Sequence, residues 1–205
     1  ERRVLDIGCW DGSRSTRYAA RSHATAFGVE IDTDQAAIAR DAGVEVAEID
    51  LEVDRFPWPD GYFDIVIANQ VLEHLKNVWL PLGEMWRMLA PDGRLILSVP
   101  NLASLHTRLL MGLGFQPTSI RTIGPHVRGF TMREFRQLVA LDGAFEVTEV
   151  RGVGFYPLSG LLAALAARIW PGASHTVIVV ARRGSGQPNW RERTAAAAGQ
   201  THWSE

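Results

Sequence analysis

Two glycines and an acidic residue near the start of the chain have the types and the spacing that suit ligand binding. A short apolar run with Val4 and Ile7 ends in Gly8 and Gly12, after which a helix-like segment begins. Glycines at such a turn let the backbone bend tightly and approach a ligand with no Cβ in the way. Glu30 closes a second apolar run 18 positions after Gly12, where an open α/β sheet places an acid for ribose hydroxyls. The pattern predicts a ligand at the carboxyl end of the first strand, and its alternative is a plain strand-to-helix turn.

The spacing of the glycines bears on which ligand this is. The dinucleotide fingerprint Gly-x-Gly-x-x-Gly needs glycines at positions 8, 10 and 13, whereas the chain has Gly8, Trp10 and Ser13. NAD and FAD are therefore disfavoured. An NAD(P)-dependent oxidoreductase stays open as an alternative, because Glu30 suits that class while Trp10 and Ser13 oppose it.

Three motifs in order along the chain resemble a known enzyme family. The block Asp6-x-Gly8-x-x-x-Gly12, the acid Glu30 and the run VLEHL at residues 71–75 together resemble the class I S-adenosylmethionine-dependent methyltransferases. The resemblance covers roughly the first hundred residues. It implies S-adenosyl-L-methionine as cofactor and an α/β fold with a Rossmann-like, doubly wound, mostly parallel seven-stranded sheet whose last strand is antiparallel. A non-catalytic module that keeps this fold and has lost turnover is a further alternative.

The resemblance also implies where the cofactor binds. The glycine turn would lie against its methionine part, and Glu30 would hold the ribose hydroxyls. Ile31 would flank the adenine, and Asp50 and Leu51 would meet the adenine ring and its exocyclic amine. Asn69 would face the methionine end near the transferred methyl group. The full set of expected cofactor-binding residues is Asp6, Gly8, Cys9, Trp10, Gly12, Glu30, Ile31, Asp50, Leu51 and Asn69.

Three of these residues carry expectations of their own. The family usually has glycine where Trp10 stands, so the indole must point away from the cofactor or form part of the pocket wall. Cys9 is expected to be a small buried side chain rather than a reactive thiol. Asp6 is expected either to accept hydrogen bonds that organise the amides of the turn or to touch the ligand.

Methyl transfer from a sulfonium is an in-line displacement that needs no nucleophile from the protein. Positioning is the main requirement, and a general base adds roughly 10²- to 10⁴-fold for a hydroxyl acceptor. The candidate bases are His126 and His74, with His106 as a third, and the alternative for each is a structural hydrogen bond. Glu73 is expected to tie the loop to the helix. A single cysteine and the lack of a clear carboxylate trio predict no metal ligands.

The sequence narrows the acceptor by exclusion. Enzymes that methylate the amines of bases usually carry Asn-Pro-Pro-aromatic after the fourth strand, and this chain has NQVL at residues 69–72. The formal net charge of −2 and the absence of a dense basic run argue against a nucleic-acid partner. The expected acceptor is a small molecule that is methylated at a hydroxyl oxygen: a glycan, a lipid or a secondary metabolite.

The elements that must position these residues alternate along the chain. Strands are predicted at 4–7, 25–29, 44–49, 63–68, 94–99, 145–150 and 176–181, and helices at 13–21, 34–42, 78–89, 103–111 and 158–170. This alternation predicts a parallel sheet. Asp32 with Gln35, and Thr131 with Glu134, are spaced as capping boxes that begin two helices. A tight turn is predicted at residues 91–93.

Length and composition fit one domain. The chain has 205 residues, of which 46% are hydrophobic, and can bury one globular core. Residues 1–183 are predicted to form the methyltransferase domain without its N-terminal cap, with residues 101–130 as a substrate lid or an ordinary excursion. Residues 184–205 are predicted to be a flexible tail. The helix at 158–170 is expected to pack in the core, with a pocket cover, a subunit contact or a lipid contact as alternatives.

The remaining expectations concern the setting of the protein. Lys76 is the sole lysine among 21 basic residues, which indicates a high-GC bacterial genome. The single cysteine is compatible with a reducing compartment, and neither a secretion signal nor a clean membrane span is evident. A cytoplasmic location without stable membrane insertion is therefore expected, and a homodimer is left open.

Overall fold

The computed structural model describes residues 2–186, 189 and 192–193. One seven-stranded sheet forms the centre of the fold, and helices cover it. The strands are β1 (Arg2–Ile7), β2 (Ala24–Val29), β3 (Glu45–Ala47), β4 (Phe63–Asn69), β5 (Leu89–Pro100), β6 (Phe145–Val153) and β7 (Thr176–Arg183). The helices are α1 (Ser13–Ser22), α2 (Thr33–Asp41), α3 (Trp79–Met88), α4 (Leu105–Gly112), α5 (Met132–Val139) and α6 (Gly160–Ile169). Short 3₁₀ turns lie at Leu72–His74, Leu141–Gly143 and Pro171–Ala173.

The strand order of the sheet is β3-β2-β1-β4-β5-β7-β6. Neighbours from β3 to β5 run parallel, and β7 runs antiparallel to both β5 and β6. The predicted Rossmann-like, mostly parallel seven-stranded sheet with an antiparallel last strand is thus confirmed. The order reverses between β1 and β4, and ligands of such sheets bind outside the carboxyl ends of the strands at that point.

The buried residues of the central strands are mostly apolar because both faces of the sheet are covered. Val4, Leu5 and Ile7 of β1 are each almost completely buried, and they pair with β2 on one side and β4 on the other. Their burial fixes the register of the strand, so the chain leaves the core at a defined residue, Gly8. The sheet therefore positions the loop that begins at Gly8.

The helices begin where the capping boxes predict. The Asp32 side chain accepts hydrogen bonds from the amides of Asp34 and Gln35, each at 3.0 Å, at the start of α2. The Thr131 hydroxyl accepts a hydrogen bond from the Glu134 amide at 3.3 Å at the start of α5. Each cap satisfies backbone donors that the first turn of a helix leaves unpaired.

Two strands differ from their predicted bounds. β5 begins at Leu89 rather than at residue 94, and residues 91–93, predicted as a tight turn, lie inside it. The pairing with β4 shifts register there, so the extra residues form an irregularity in a longer strand. β3 covers only Glu45–Ala47, so Asp50, which directly follows the predicted strand at 44–49, lies three residues beyond the observed one.

Residues 101–130 leave the sheet after β5 and return before α5. An isolated bridge pairs Asn101 with Phe130, so the two ends of the excursion meet. The amides of Val127 and Arg128 both donate to the Glu73 carbonyl, at 2.9 and 3.1 Å, and attach the excursion to the turn after β4. This contact brings the predicted lid to the carboxyl edge of the sheet.

Most of the predicted flexible tail, residues 184–205, lies outside the described residues. Its first part is hydrogen-bonded: the Gly184 amide donates to the Ala144 carbonyl at 2.8 Å, and the Gly186 amide to the Gly143 carbonyl at 3.0 Å. Within the part of the chain that the structure describes, no helix combines the length and the apolar character needed to cross a bilayer.

Candidate functional site

The loop between β1 and α1 takes a left-handed backbone at alternate residues. Gly8, Trp10 and Gly12 have φ values of 71°, 51° and 72°. The amides of Gly8 and Cys9 both donate to the carbonyl of Val29, at 2.9 and 3.0 Å. The loop is therefore tied to the end of β2, and the residues that follow the two strands lie together.

The glycines of this loop make room for the protein's own chain. A Cβ on Gly8 would lie 2.9 Å from the side chain of Val71, and one on Gly12 would lie 3.0 Å from both Ala39 and Val44. Close approach to a ligand is the role that the sequence predicts for these glycines. The structure shows a second reason: the loop packs so closely against α2 and the segment after β4 that a Cβ would fit only if neighbouring atoms moved.

Trp10 occupies a conformation that glycine adopts without strain, which explains why glycine is usual at this position. Its side chain is 58% exposed and lies outside the lining of the cavity beside Glu30. Its amide donates to Glu30 Oε2 at 2.9 Å. The backbone of Trp10 thus helps to build the loop while the indole faces solvent.

Glu30, just after β2, is buried and holds three backbone amides. Oε2 accepts the hydrogen bond from Trp10, and Oε1 accepts those from Ile31 at 2.9 Å and Asp32 at 3.1 Å. A cavity of about 230 Å³ opens beside it. The cavity is lined by Val29, Glu30, Ile31, Ile49, Asp50, Leu51, Glu52 and Leu75. The residues expected to bind ribose and adenine therefore come together, and Leu75 is a wall residue that the sequence analysis missed.

Asp6, inside β1, points to α1 rather than to the turn. Its Oδ2 accepts a hydrogen bond from the Ser15 hydroxyl at 2.6 Å, so the expectation that it organises the amides of the turn is wrong. Burial raises the pKa of Asp6 to about 6, while the Ser15 hydrogen bond and the charge of Arg14 act in the opposite direction. The carboxylate connects β1 to α1 beneath the loop.

Cys9 is a buried side chain in a small cluster between α1 and α2. Burial raises the pKa of its thiol to about 12, and the negative charges of Asp6 and Glu30 add to the shift. The thiol is therefore protonated at neutral pH, in keeping with the small buried side chain that the sequence predicts. Gly28 is a residue that the sequence analysis missed, because a Cβ there would lie 2.5 Å from Cys9 Sγ.

Asn69, the last residue of β4, is held by its neighbour strand. Its Oδ1 accepts a hydrogen bond from the Ser98 hydroxyl at 2.5 Å, and Gln70 Nε2 donates to the same hydroxyl at 3.3 Å. Gln70 has a φ of 60°, so the chain turns sharply as it leaves β4. The turn directs residues 71–75 along the edge of the sheet.

Glu73, His74 and His126 form a cluster where this turn meets the excursion. The rings of His74 and His126 lie edge to face with centroids 4.7 Å apart. A carboxylate oxygen of Glu73 and one ring nitrogen of each histidine all lie within 4.8 Å of one another. The two histidines are 52 positions apart in the sequence, and the structure brings them together.

The Glu73 side chain does not make the expected contact between loop and helix. It is 1% exposed, and neither carboxylate oxygen has a hydrogen-bond partner among the described residues. The tie between turn and excursion comes from its backbone carbonyl instead. Burial raises the pKa of Glu73 to about 7, and burial followed by the charge of His126 lowers the pKa of His74.

Comparisons with known proteins agree with this geometry. Residues 5–97 match the family model described as "Methyltransferase domain". The chain is 32% identical over 114 residues to 27-O-demethylrifamycin SV methyltransferase of Amycolatopsis mediterranei, covering 50% of this chain and 42% of that protein. It is 26% identical over 171 residues to the ubiquinone biosynthesis O-methyltransferase of Methylococcus capsulatus, covering 78% and 69%.

The fold agrees as well. A Thermotoga maritima structure described as a SAM-dependent methyltransferase, possible histamine N-methyltransferase, superposes with a TM-score of 0.65 at 23% identity, covering 89% of this chain and 83% of that one. Residues 5–97 match a methyltransferase domain, and together with the fold this match supports a class I S-adenosylmethionine-dependent methyltransferase. S-adenosyl-L-methionine is its cofactor, and the dinucleotide-dependent oxidoreductase is set aside. The chain spans less than half of the Amycolatopsis relative, so its acceptor is a matter for proposal.

A second cavity of this methyltransferase lies at the same edge of the sheet, beyond β5 and β7. It measures about 550 Å³ and is largely apolar. Its lining is Leu105, His106, Leu109, Leu110, Leu113, Thr118, Tyr156, Pro157 and His175. His106, the third candidate base, stacks on His175 with centroids 5.5 Å apart, and its Nε2 lies 3.1 Å from the Thr118 hydroxyl. The sequence signal for this cavity is the leucine repeat at every fourth residue, 105, 109 and 113, which marks one face of a helix.

Proposed function

We propose that the protein transfers the methyl group of S-adenosylmethionine to a hydroxyl oxygen of a small-molecule acceptor with an apolar body. A lipid or a secondary metabolite fits this description better than a glycan does. In the reaction the acceptor oxygen forms a bond to the methyl carbon, the sulfur–methyl bond breaks, and the hydroxyl proton is released. The positive charge on sulfur is lost in the same step.

The observation that carries this proposal is the position of the His74 and His126 pair. Residues 71–75 pass from the glycine loop, which Val71 approaches, to the cavity beside Glu30, which Leu75 lines. His74 lies on this short segment, and His126 is brought to it from the excursion. An imidazole in that place can take the proton of an acceptor hydroxyl as methyl transfer proceeds.

The cofactor would lie along the carboxyl edge of the sheet. We assign Glu30 to the ribose hydroxyls, Ile31, Asp50 and Leu51 to the adenine, and Asn69 to the methionine end. The support is that the first four line one cavity beyond the carboxyl ends of β2 and β3. Two reactants held in near-attack geometry can contribute about 7–11 kcal/mol, so this positioning supplies most of what catalysis needs.

The acceptor would bind in the apolar cavity beside α4. Four of its nine lining residues are leucines, and His106 and Thr118 are polar groups that would orient a hydroxyl-bearing molecule. Such a wall favours a hydrocarbon or aromatic body over a sugar. Residues 101–130 would act as the lid, because they contribute to both this cavity and the histidine pair.

We also propose bounds for the domain, a cellular location and an oligomeric state. The methyltransferase domain would span residues 1–183, and the single cysteine supports a cytoplasmic location. A homodimer would bury exposed leucines of α6, of which Leu161 and Leu162 are the most exposed. A sedimentation measurement tests the dimer.

Incubation of the protein with isotope-labelled methyl donor and an extract of its source cell, followed by mass spectrometry, tests the proposed reaction. We expect one apolar product whose label is in a methyl ether. Label on carbon or nitrogen would contradict the oxygen assignment. Tight binding of S-adenosylhomocysteine with no labelled product from any extract would favour the non-catalytic module.

A further inference from the structure

Glu73 has a carboxylate whose surroundings do not explain its burial. The side chain is 1% exposed, and among the described residues neither oxygen accepts a hydrogen bond. Buried carboxylates are ordinarily paired with a cation or with hydrogen-bond donors, because burial of an unpaired charge is strongly unfavourable. The two groups that it faces are imidazoles, His74 and His126.

Among the described residues, the Nε2 atom of each imidazole has no hydrogen-bond partner. His74 Nδ1 lies 3.3 Å from the Pro125 carbonyl, and His126 Nδ1 lies 2.8 Å from the Ser119 carbonyl. A carbonyl oxygen can only accept, so each Nδ1 carries a proton when these bonds form, and each Nε2 of the neutral ring keeps its lone pair. Histidines that bind metals are oriented in this way, with the second nitrogen donating to a carbonyl.

We propose that Glu73, His74 and His126 bind one divalent transition-metal ion of the Zn²⁺ class. Two imidazoles and a carboxylate suit such ions, and three protein ligands leave a coordination position open. Ligand atoms around tetrahedral Zn²⁺ lie about 3.4 Å apart at ordinary bond lengths. The three groups lie within 4.8 Å of one another, so small side-chain rotations complete the site. This ion was not expected from the sequence, which lacks a cysteine cluster or carboxylate trio.

The backbone around the cluster is held in place without an ion. The carbonyl of Glu73 accepts the amides of Val127 and Arg128, which follow His126 directly. The Arg128 guanidinium also donates to the carbonyls of Leu75 and Lys76. The ligands from two distant parts of the chain are therefore brought together before the ion binds, and the ion would fasten the lid to the turn.

The role of the ion, unlike its binding, rests on the proposed methyl transfer. With the ion bound, both Nε2 lone pairs are used in coordination, so the cation would replace the imidazole base of the ion-free protein. The acceptor hydroxyl would occupy the open position, where the cation favours its deprotonated form. The oxygen then attacks the methyl carbon, the sulfur–methyl bond breaks with its electron pair going to sulfur, and the proton passes to solvent. No oxidant or reductant is needed.

Metal titration of the whole chain tests the binding. Protein stripped with EDTA and dialysed is titrated with Zn²⁺ by calorimetry, and with Co²⁺ by its visible absorption. We expect the wild type to bind one equivalent of metal. Glu73→Gln and His126→Asn should bind the metal at least about 100-fold more weakly, since even loss of a partner behind a ligand costs about 10–100-fold. His23→Asn is the matched control, because His23 is exposed and far along the chain from the cluster. Its backbone is left-handed, with φ 50°, a conformation that asparagine tolerates.

Wild-type protein that binds no Zn²⁺ saturably, or variants that bind it as wild type does, would overturn the site. Circular dichroism and S-adenosylhomocysteine affinity must be unchanged in Glu73→Gln, which separates loss of the ion from loss of folding. Methyl transfer is then measured with stripped and reloaded protein, and an unchanged rate after stripping would overturn the role. Failure of S-adenosylhomocysteine to bind at all would instead refute the proposed function and leave the metal result standing.

Discussion

Replacement of Glu30 by glutamine separates two roles that the structure gives one side chain. Glu30 accepts amide hydrogen bonds from Trp10, Ile31 and Asp32 in the ligand-free protein, and it lines the cavity assigned to the cofactor. The sequence alone suggests that its loss would affect only cofactor binding. The three amides predict an effect on stability as well.

The magnitude follows from the geometry. Glutamine can keep its oxygen on the Oε1 side, where it still accepts from Ile31 and Asp32, but its NH₂ group then faces the Trp10 amide, donor against donor. One unsatisfied buried donor and two bonds that lose their charge together cost about 2–4 kcal/mol. For a domain of this size that lowers Tm by roughly 5–15 °C. A lost charge-assisted bond to a ribose hydroxyl weakens cofactor binding by about 1.5–3 kcal/mol, or roughly 10- to 150-fold.

Calorimetry with S-adenosylhomocysteine and urea unfolding measure the two effects on the same preparation. Glu146→Gln on β6 is the control, because it makes the same change of charge at an exposed position on the edge strand of the sheet. An unchanged dissociation constant for Glu30→Gln would refute its assignment to the ribose. Unchanged stability would refute the view that its carboxylate holds the loop.

Other perturbations test the remaining parts of the site. His126→Asn should lower kcat by roughly 10²- to 10⁴-fold with S-adenosylhomocysteine affinity kept, and full activity would remove it from the reaction. Gly12→Ala should lower the free energy of unfolding in urea by about 2–4 kcal/mol, because a Cβ there meets backbone at 3.0 Å and φ is 72°. Gly61→Ala is the control, because φ is 67° but the space around it is open, so it measures the cost of the positive φ without the steric contact. The native state binds the Asp6 proton more tightly than the unfolded chain, since the pKa is raised from 3.8 to about 6. The wild type therefore loses stability relative to Asp6→Asn as pH rises from about 4 to about 6, by at most about 3 kcal/mol, and a difference that is flat across that range would refute the burial effect.

The strands and the order of motifs were predictable because they depend on local patterns. Apolar runs of four to six residues mark the strands, and capping boxes at Asp32 and Thr131 mark two helix starts correctly. The start of β5 was not predictable in this way. Residues 91–93 have the composition of a turn, and pairing of Leu89 with Phe63 extends the strand past them.

The cofactor side of the site was predictable because its residues follow strand ends directly. Glu30 and Ile31 come straight after β2, and Asp50 and Leu51 follow β3 closely, so the sheet alone brings them to one cavity. The roles of the small residues were not predictable. Nothing in the sequence shows that Gly28 makes room for Cys9, because that contact joins neighbouring strands through a side chain.

The cluster of Glu73, His74 and His126 could not be predicted from the sequence pattern. Glu73 and His74 are adjacent in a motif, but His126 is 52 positions after His74 and lies in a segment with little regular structure. What joins them is the hydrogen bonding of two amides to one carbonyl, and backbone contacts of that kind leave no mark on residue type. The same contact decides the chemistry. Residue types alone leave three separate candidate bases. The folded chain instead places two imidazoles near one carboxylate that has no hydrogen-bond partner among the described residues, and such a set can hold a cation as well as a proton.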